Sequence, residues 1–208
     1  SVKRRVLILI LAAALIAVAA DFVRITMDRQ AYGRLEVPLF NQQDYTQAVC
    51  TIGGQKKSVA TSGCGAVCIA MAASALVGSQ ETPETLFQWA YDNGLYFGDG
   101  LGHEAMGQMA ARCGLRGEWL DNDAELVLSA LQAGHPVVAH MGSGTFTRNG
   151  HYILLYGLDG EGLIRVNDPY SPERSEQTYP IDLILKEVKT SKAFLALERD
   201  NDRAVFVF

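Results

Sequence analysis

Thr61-Ser62-Gly63-Cys64-Gly65-Ala66-Val67-Cys68-Ile69-Ala70-Met71, continued by Ala72-Ala73-Ser74-Ala75-Leu76-Val77-Gly78, is the stretch on which the reading of this chain turns. From Cys64 to Val77 the side chains are almost wholly Ala, Val, Ile, Met and Leu. The run is too long for most strands and Gly78 closes it as a C-cap, so the spacing predicts a buried helix. Cys64 then stands at a helix N-terminus, where the macrodipole and the unpaired backbone N–H groups favour thiolate over thiol. The flanking glycines allow a tight turn and close approach of a substrate backbone. Taken alone, a lone cysteine is better read as a small packed residue at a helix start; a nucleophile needs company elsewhere in the chain.

Upstream, Lys3, Arg4 and Arg5 precede Val6 to Ala20, a run with no charged or polar side chain, and Asp21 comes next. That is the layout of a secretory n-region and h-region, and the run is short for a membrane span. Ala17-Val18-Ala19 offers a cleavage site, whereas Phe22, Val23, Ile25 and Met27 carry the apolar tendency past it. Residues 1–20 therefore fit either a cleaved signal peptide or an uncleaved anchor. Basic residues ahead of the apolar run place the rest of the chain outside the cytoplasm, secreted or anchored to the outer face of the membrane. Residues 21–36 read as a connector, and 37–208 as one domain touching the membrane only through that segment. With 208 residues, 49% of them hydrophobic, the chain can bury a substantial core. The net charge is −5, and without Lys3, Arg4 and Arg5 it is −8, so a nucleic-acid surface is not expected.

Val37 to Tyr45 reads as extended around Pro38, and Gly53 to Ser58 as a solvated loop. Downstream, Thr82 and Pro83 open a helix with Leu86, Phe87, Trp89 and Ala90 on one face, ended by Gly94. A glycine-rich loop to Gly102 precedes a helix from His103 to Cys113, and Asn122 or Asp123 opens another through Ala133. Beyond Pro136 the texture changes. Val137–Met141, His151–Leu158 and Leu163–Asn167 read as strands, the last two joined through Asp159-Gly160-Glu161-Gly162 as a hairpin. Ile181–Val188 reads as a short helix, and Ala193–Leu197 and Ala204–Phe208 as terminal strands. An N-terminal helical part on a C-terminal antiparallel β-sheet is an α+β fold, with a cleft where the layers meet.

A cysteine nucleophile needs a base in hydrogen-bond reach and a third group to orient that base. Of the four histidines, His103 and His135 stand at helix ends and His140 lies inside an apolar strand, where a core role suffices. His151 opens a strand directly after Gly142-Ser143-Gly144-Thr145-Phe146-Thr147-Arg148-Asn149-Gly150, at a rim a ligand can reach. One hairpin later comes Asn167-Asp168-Pro169; the returning strand brings Asp168 near His151, and alternation of side chains lets only one of Asn167 and Asp168 serve. Cys50, Cys64, Cys68 and Cys113 lack paired zinc spacing, so no metal or other cofactor is called for. Cys64 and Cys68, one helical turn apart, do not suit a relaxed disulfide. Cys50 and Cys113 are the pair open to one, and Cys68 reads as core. Trp89, Tyr91, Tyr96, Phe97 and Phe146 are groove or core aromatics.

Val37-Pro38 through Gln42 with Asp44-Tyr45, Ser62-Gly63-Cys64-Gly65, Met141 to Tyr152, and Val166-Asn167-Asp168-Pro169 together resemble the papain-like cysteine peptidases of the bacteriocin-processing, double-glycine leader type, and more narrowly their stand-alone secreted relatives. The resemblance runs from about Val37 to Lys189 in order and spacing; Ala66-Val67 stands where the family often has Pro-Thr. It implies a papain-like fold, Cys64 as nucleophile, His151 as general base then acid, and Asp168 as the orienting group. It further implies an oxyanion hole of the Gln42 amide and the Cys64 backbone N–H, with Gln43 and Gln47 as nearby rivals. The expected partner is a peptide or protein substrate met by a monomer. Another thiol acyl transfer, by a cell-wall amidase, deamidase or transpeptidase, and an inactive peptide-binding module stay open. Cleavage after paired glycines is not carried over.

Overall fold

Residues 35–47, 49–52, 54–97 and 100–201 are described by the computed structural model. The expected signal or anchor segment, the connector up to residue 34 and the expected strand Ala204–Phe208 lie outside them. After a 3-10 turn at Gln42–Asp44, the elements run β1 (Cys50–Ile52), β2 (Gln55–Lys57), α1 (Val59–Ser62), α2 (Cys64–Val77), α3 (Pro83–Asp92), β3 (Tyr96–Phe97) and β4 (Gly100–Leu101). They continue with α4 (His103–Arg112), β5 (Leu115–Leu120), α5 (Ala124–Gln132), β6 (Val137–Met141), β7 (His151–Leu158) and β8 (Ile164–Asn167). The chain closes with α6 (Pro172–Ser175), β9 (Thr178–Tyr179), α7 (Ile181–Lys186) and β10 (Phe194–Arg199). No described helix is long and apolar enough to cross a membrane.

The cysteine stretch is the helix its composition predicts. Gly65 through Ala73 are all buried, as expected of a helix apolar on every side. Gly78, at φ 63°, ends α2 in the left-handed region that glycine enters without penalty. Helix α3 starts as its sequence says: Thr85 N–H donates to Thr82 Oγ1 at 3.2 Å and Thr82 N–H to Thr85 Oγ1 at 2.9 Å, with Pro83 in the first turn.

Six antiparallel strands form the main sheet in the order β5-β10-β6-β7-β8-β9. Alternation along the strands divides two cores. Val138, Tyr152, Leu154, Leu195 and Leu197 face α2, α3 and α4, while Val137, Ala139, Ile153, Leu155 and Phe194 face α5 and α7. Burial on both faces explains why Val137-Val138-Ala139 is a continuous apolar run. The first face carries α2, so the N-terminus of that helix meets the start of β7 at the sheet.

Three expectations need correction. Leu115–Leu120 is an edge strand pairing β10 along its length, inside the half read as helical. Its exposed Arg116, Gly117 and Glu118 hide the alternation. The stretch read as a loop before α1 is a hairpin, with Cys50, Thr51 and Ile52 opposite Lys57, Lys56 and Gln55, and the glycine-rich loop to Gly102 holds a second small hairpin, β3 with β4. Beyond these three, the glycines flanking Cys64 also answer to packing. A Cβ on Gly63 would lie 2.6 Å from Val59 Cα, and one on Gly65 would lie 2.7 Å from Met106 Sδ.

Candidate active site

Cys64 is the first residue of α2, so its backbone N–H belongs to the orphan donors of a helix start. Across from it, the rim loop ends where β7 begins at His151, whose ring is buried. His151 Nε2 donates to Asp168 Oδ1 at 2.7 Å. The ring also hydrogen-bonds the Cys64 sulfur, for which Nδ1 is the remaining nitrogen. The three side chains therefore form one chain of contacts, sulfur to imidazole to carboxylate.

Asp168, directly after β8, is fully buried. A buried carboxylate is tolerated only when its lone pairs are filled, and here Oδ1 also accepts the Tyr170 N–H at 2.8 Å while Oδ2 accepts Arg174 Nε at 2.6 Å. Burial pushes the carboxyl up, but the His151 hydrogen bond and charge, then Arg174 and the Tyr170 N–H, hold it below its ordinary value. For His151 burial acts downward; the bonds and charges of Asp168 and Cys64 overcome it and push the imidazole up to about 9. Burial likewise raises the Cys64 thiol, yet the His151 bond and charge, with the Tyr152 and Gly65 backbone N–H groups, leave it below its ordinary value. The directions agree on a thiolate–imidazolium pair.

The motif Asn167-Asp168-Pro169 also brings the N-terminal segment to the cleft. Asn167, pointing away from His151, donates through Nδ2 to Pro38 O at 3.2 Å, and Pro169 O accepts the Gln42 N–H at 2.8 Å. Gln42 is buried and lines the cleft with Cys64 and His151. One of its two amide hydrogens is taken by Ala60 O at 2.9 Å, and Oε1 has no partner among the described residues. Gln43 reaches the same carbonyl at 3.1 Å but is exposed, and neither it nor Gln47 lines the cleft.

The cleft has a volume of about 1060 Å³. Sequence reasoning missed Arg174 and Tyr170; the ring of Tyr170 stands edge-on to His151 at 6.4 Å. The signal for Arg174 was Ser171-Pro172, an N-cap and first-turn proline, with Ser171 Oγ accepting the Arg174 N–H at 3.2 Å. His140, read as a core residue, instead lines the cleft. It stacks on Tyr152 at 4.4 Å, and its Nδ1 lies 3.4 Å from His103 Nε2. Of the aromatics, Phe146 lines the cleft. Trp89, Tyr91 and Tyr96 pack on the helical core, and the Phe97 side chain lies outside the described residues. All four cysteines are free thiols, so Cys50 and Cys113 are not bridged. Among the described residues no group of His, Cys, Asp and Glu could hold a metal ion.

A helical half on an antiparallel half, with a thiol where they meet, defines the class: the fold of the papain-like cysteine peptidases. Residues 34–199 match the peptidase C39-like family, and the chain belongs to it. Among solved structures it is similar to the peptidase domain of Streptococcus ComA, a bifunctional ABC transporter involved in a quorum-sensing pathway. That likeness has 19% identity, covers 65% of this chain and 88% of that one, and has a TM-score of 0.50; at such identity it is a likeness of fold. A double-glycine-motif protease from an AMS/PCAT transporter, in complex with the leader peptide, shares 20% identity over 80% of this chain and 92% of that one, with a TM-score of 0.49. The N-terminal peptidase C39-like domain of the toxin secretion ATP-binding protein from Vibrio parahaemolyticus shares 19% over 59% and 86%, with a TM-score of 0.39. No curated protein matches.

Proposed function

We propose that the chain is a cysteine peptidase in which Cys64, His151 and Asp168 are the catalytic triad. The observation that carries this reading is the unbroken contact chain from the Cys64 sulfur through His151 to Asp168 in an open cleft. Cys64 Sγ attacks the carbonyl carbon of a peptide bond, and the developing oxyanion takes hydrogen bonds from the Cys64 backbone N–H and the second Gln42 amide hydrogen. His151 passes its Nδ1 proton to the departing amine, leaving a thioester. Water then attacks the thioester as His151 Nδ1 takes its proton, and the Cys64 thiolate leaves. Asp168 fixes the ring with Nε2–H towards itself and Nδ1 towards sulfur.

Belonging to the C39-like family supports peptide chemistry. The inactive-module alternative gains nothing from the site, where each member of the triad is present. In the same reading, residues 1–20 direct the domain out of the cytoplasm. The test is a mass-spectrometric screen of peptides and peptidoglycan fragments with the wild type and Cys64→Ala. Cleavage at a peptide bond that disappears in the variant is expected; turnover that survives the substitution ends the proposal, and products joined to an added amine identify acyl transfer instead of hydrolysis.

A further inference from the structure

Two cations without an ion-pair partner among the described residues stand on the wall of the cleft that carries His151. The wall carrying His151 is the loop from Gly142 to Gly150, backed by the segment after α7. Gly142 N–H donates to Glu187 O at 2.6 Å, and Lys189 N–H donates to His140 O at 2.9 Å, so this segment runs beside the end of β6. The Glu187 carboxylate is occupied, accepting Thr145 N–H at 2.7 Å and Thr145 Oγ1 at 2.9 Å. Lys189 is not. Its backbone is fixed, and its Nζ fills the space above Gly150 so closely that a Cβ there would collide with it. The ammonium thus lies against the residue preceding His151. Arg148, on the same loop, also lines the cleft. Both side chains are exposed, and neither has a carboxylate in ion-pair distance among the described residues. The third lining cation, Arg174, is spent on Asp168. The described lining residues include no carboxylate, in a chain whose net charge is −5.

The chemistry of the proposed reaction tells these two cations where they act. His151 must deliver its proton to the leaving amine, so the leaving group lies along the wall that carries His151. We propose that Lys189 and Arg148 hold a carboxylate on the departing, amine side of the scissile bond, so that this cleft takes substrates acidic just beyond the cut. The inference rests on the peptidase reading and adds the substrate class. The shared chemistry is a carboxylate, supplied either by an Asp or Glu side chain or by a free C-terminus.

Peptides sharing one cut site test it, with Glu, Gln or Lys placed at successive positions after the cut and with a free or amidated C-terminus. In the full chain, kcat/KM is expected to rise about two- to fivefold for each well-placed carboxylate, the size of an exposed ion pair. The Glu series and the free-acid series separate the two sources. Lys189→Glu and Arg148→Glu should reverse the preference towards Lys peptides. Equal kcat/KM for acidic and neutral peptides, or a preference untouched by both variants, overturns the proposal. If no peptide is cut in a Cys64-dependent way, the peptidase reading fails separately. The field of the cleft is then read from the ratio of Cys64 labelling rates by iodoacetate and iodoacetamide. That ratio should fall about two- to fivefold in Lys189→Glu; an unchanged ratio overturns the assignment of the cations.

Discussion

Cys64 and His151 shift each other in opposite directions, and that sets a pH window. The reactive pair exists above the lowered value of the thiol and below the raised value of the imidazole, about 9. Iodoacetamide labelling of Cys64 is therefore expected to be fast at neutral pH, and kcat/KM to be bell-shaped with its alkaline limb near 9. Labelling that rises only as an ordinary thiol ionises would sink the ion pair. Gln42 and Gln43 give a second residue-scale contrast, since both bond Ala60 O and Gln42 alone of the two lines the cleft. Gln42→Ala should lose about 10²- to 10³-fold in kcat, while Gln43→Ala stays near wild type. Cys64, His151 and Asp168 were legible because each sits where a local rule places it: a helix start, a strand start after a glycine loop, and the end of a hairpin. Arg174 was not, because its value lies in neutralising a carboxylate whose burial only the tertiary structure reveals.

At the scale of elements, the two glycines around the thiol predict different responses. A Cβ on Gly63 meets the Val59 backbone, which cannot yield without moving α1, whereas one on Gly65 meets the flexible end of Met106. Gly63→Ala should destabilise by about 1–3 kcal/mol, as overpacking does, and Gly65→Ala by less, both read from denaturant midpoints. Equal losses would show that Met106 is as fixed as the backbone. The long helices were legible from caps and apolar faces, as Thr82-Pro83 illustrates. The short strands were not. Gly53-Gly54 between Ile52 and Gln55 is a two-residue hairpin signal, but its second flank, Gln55-Lys56-Lys57, has no apolar residue to mark it as a strand, and β5 lies at an edge where charge is tolerated on the open side.

At the scale of the whole molecule, one sheet serves two cores and so ties the helical half to the strand half. The α+β class and the cleft between helix and sheet were legible; the helices behind the sheet were read, but not that they cover its second face. The ring stack between the halves has an optical consequence. Trp119 lies on His103 at 4.2 Å and 21°, and His103 meets His140 at the cleft. Burial holds His103 below its ordinary value and His140 down at about 4, so both rings are neutral when the thiol is working. Protonating His103 places a cation on the indole face. The emission of Trp119 should fall on acidification with a midpoint below 6.5, and His103→Gln should abolish that step. The other tryptophan, Trp89, lies under the Arg112 guanidinium, 5.5 Å from its ring centroid. The protein thus carries its own fluorescent gauge of the ground beside its cleft, and a ligand that disturbs His140 would be seen without a label.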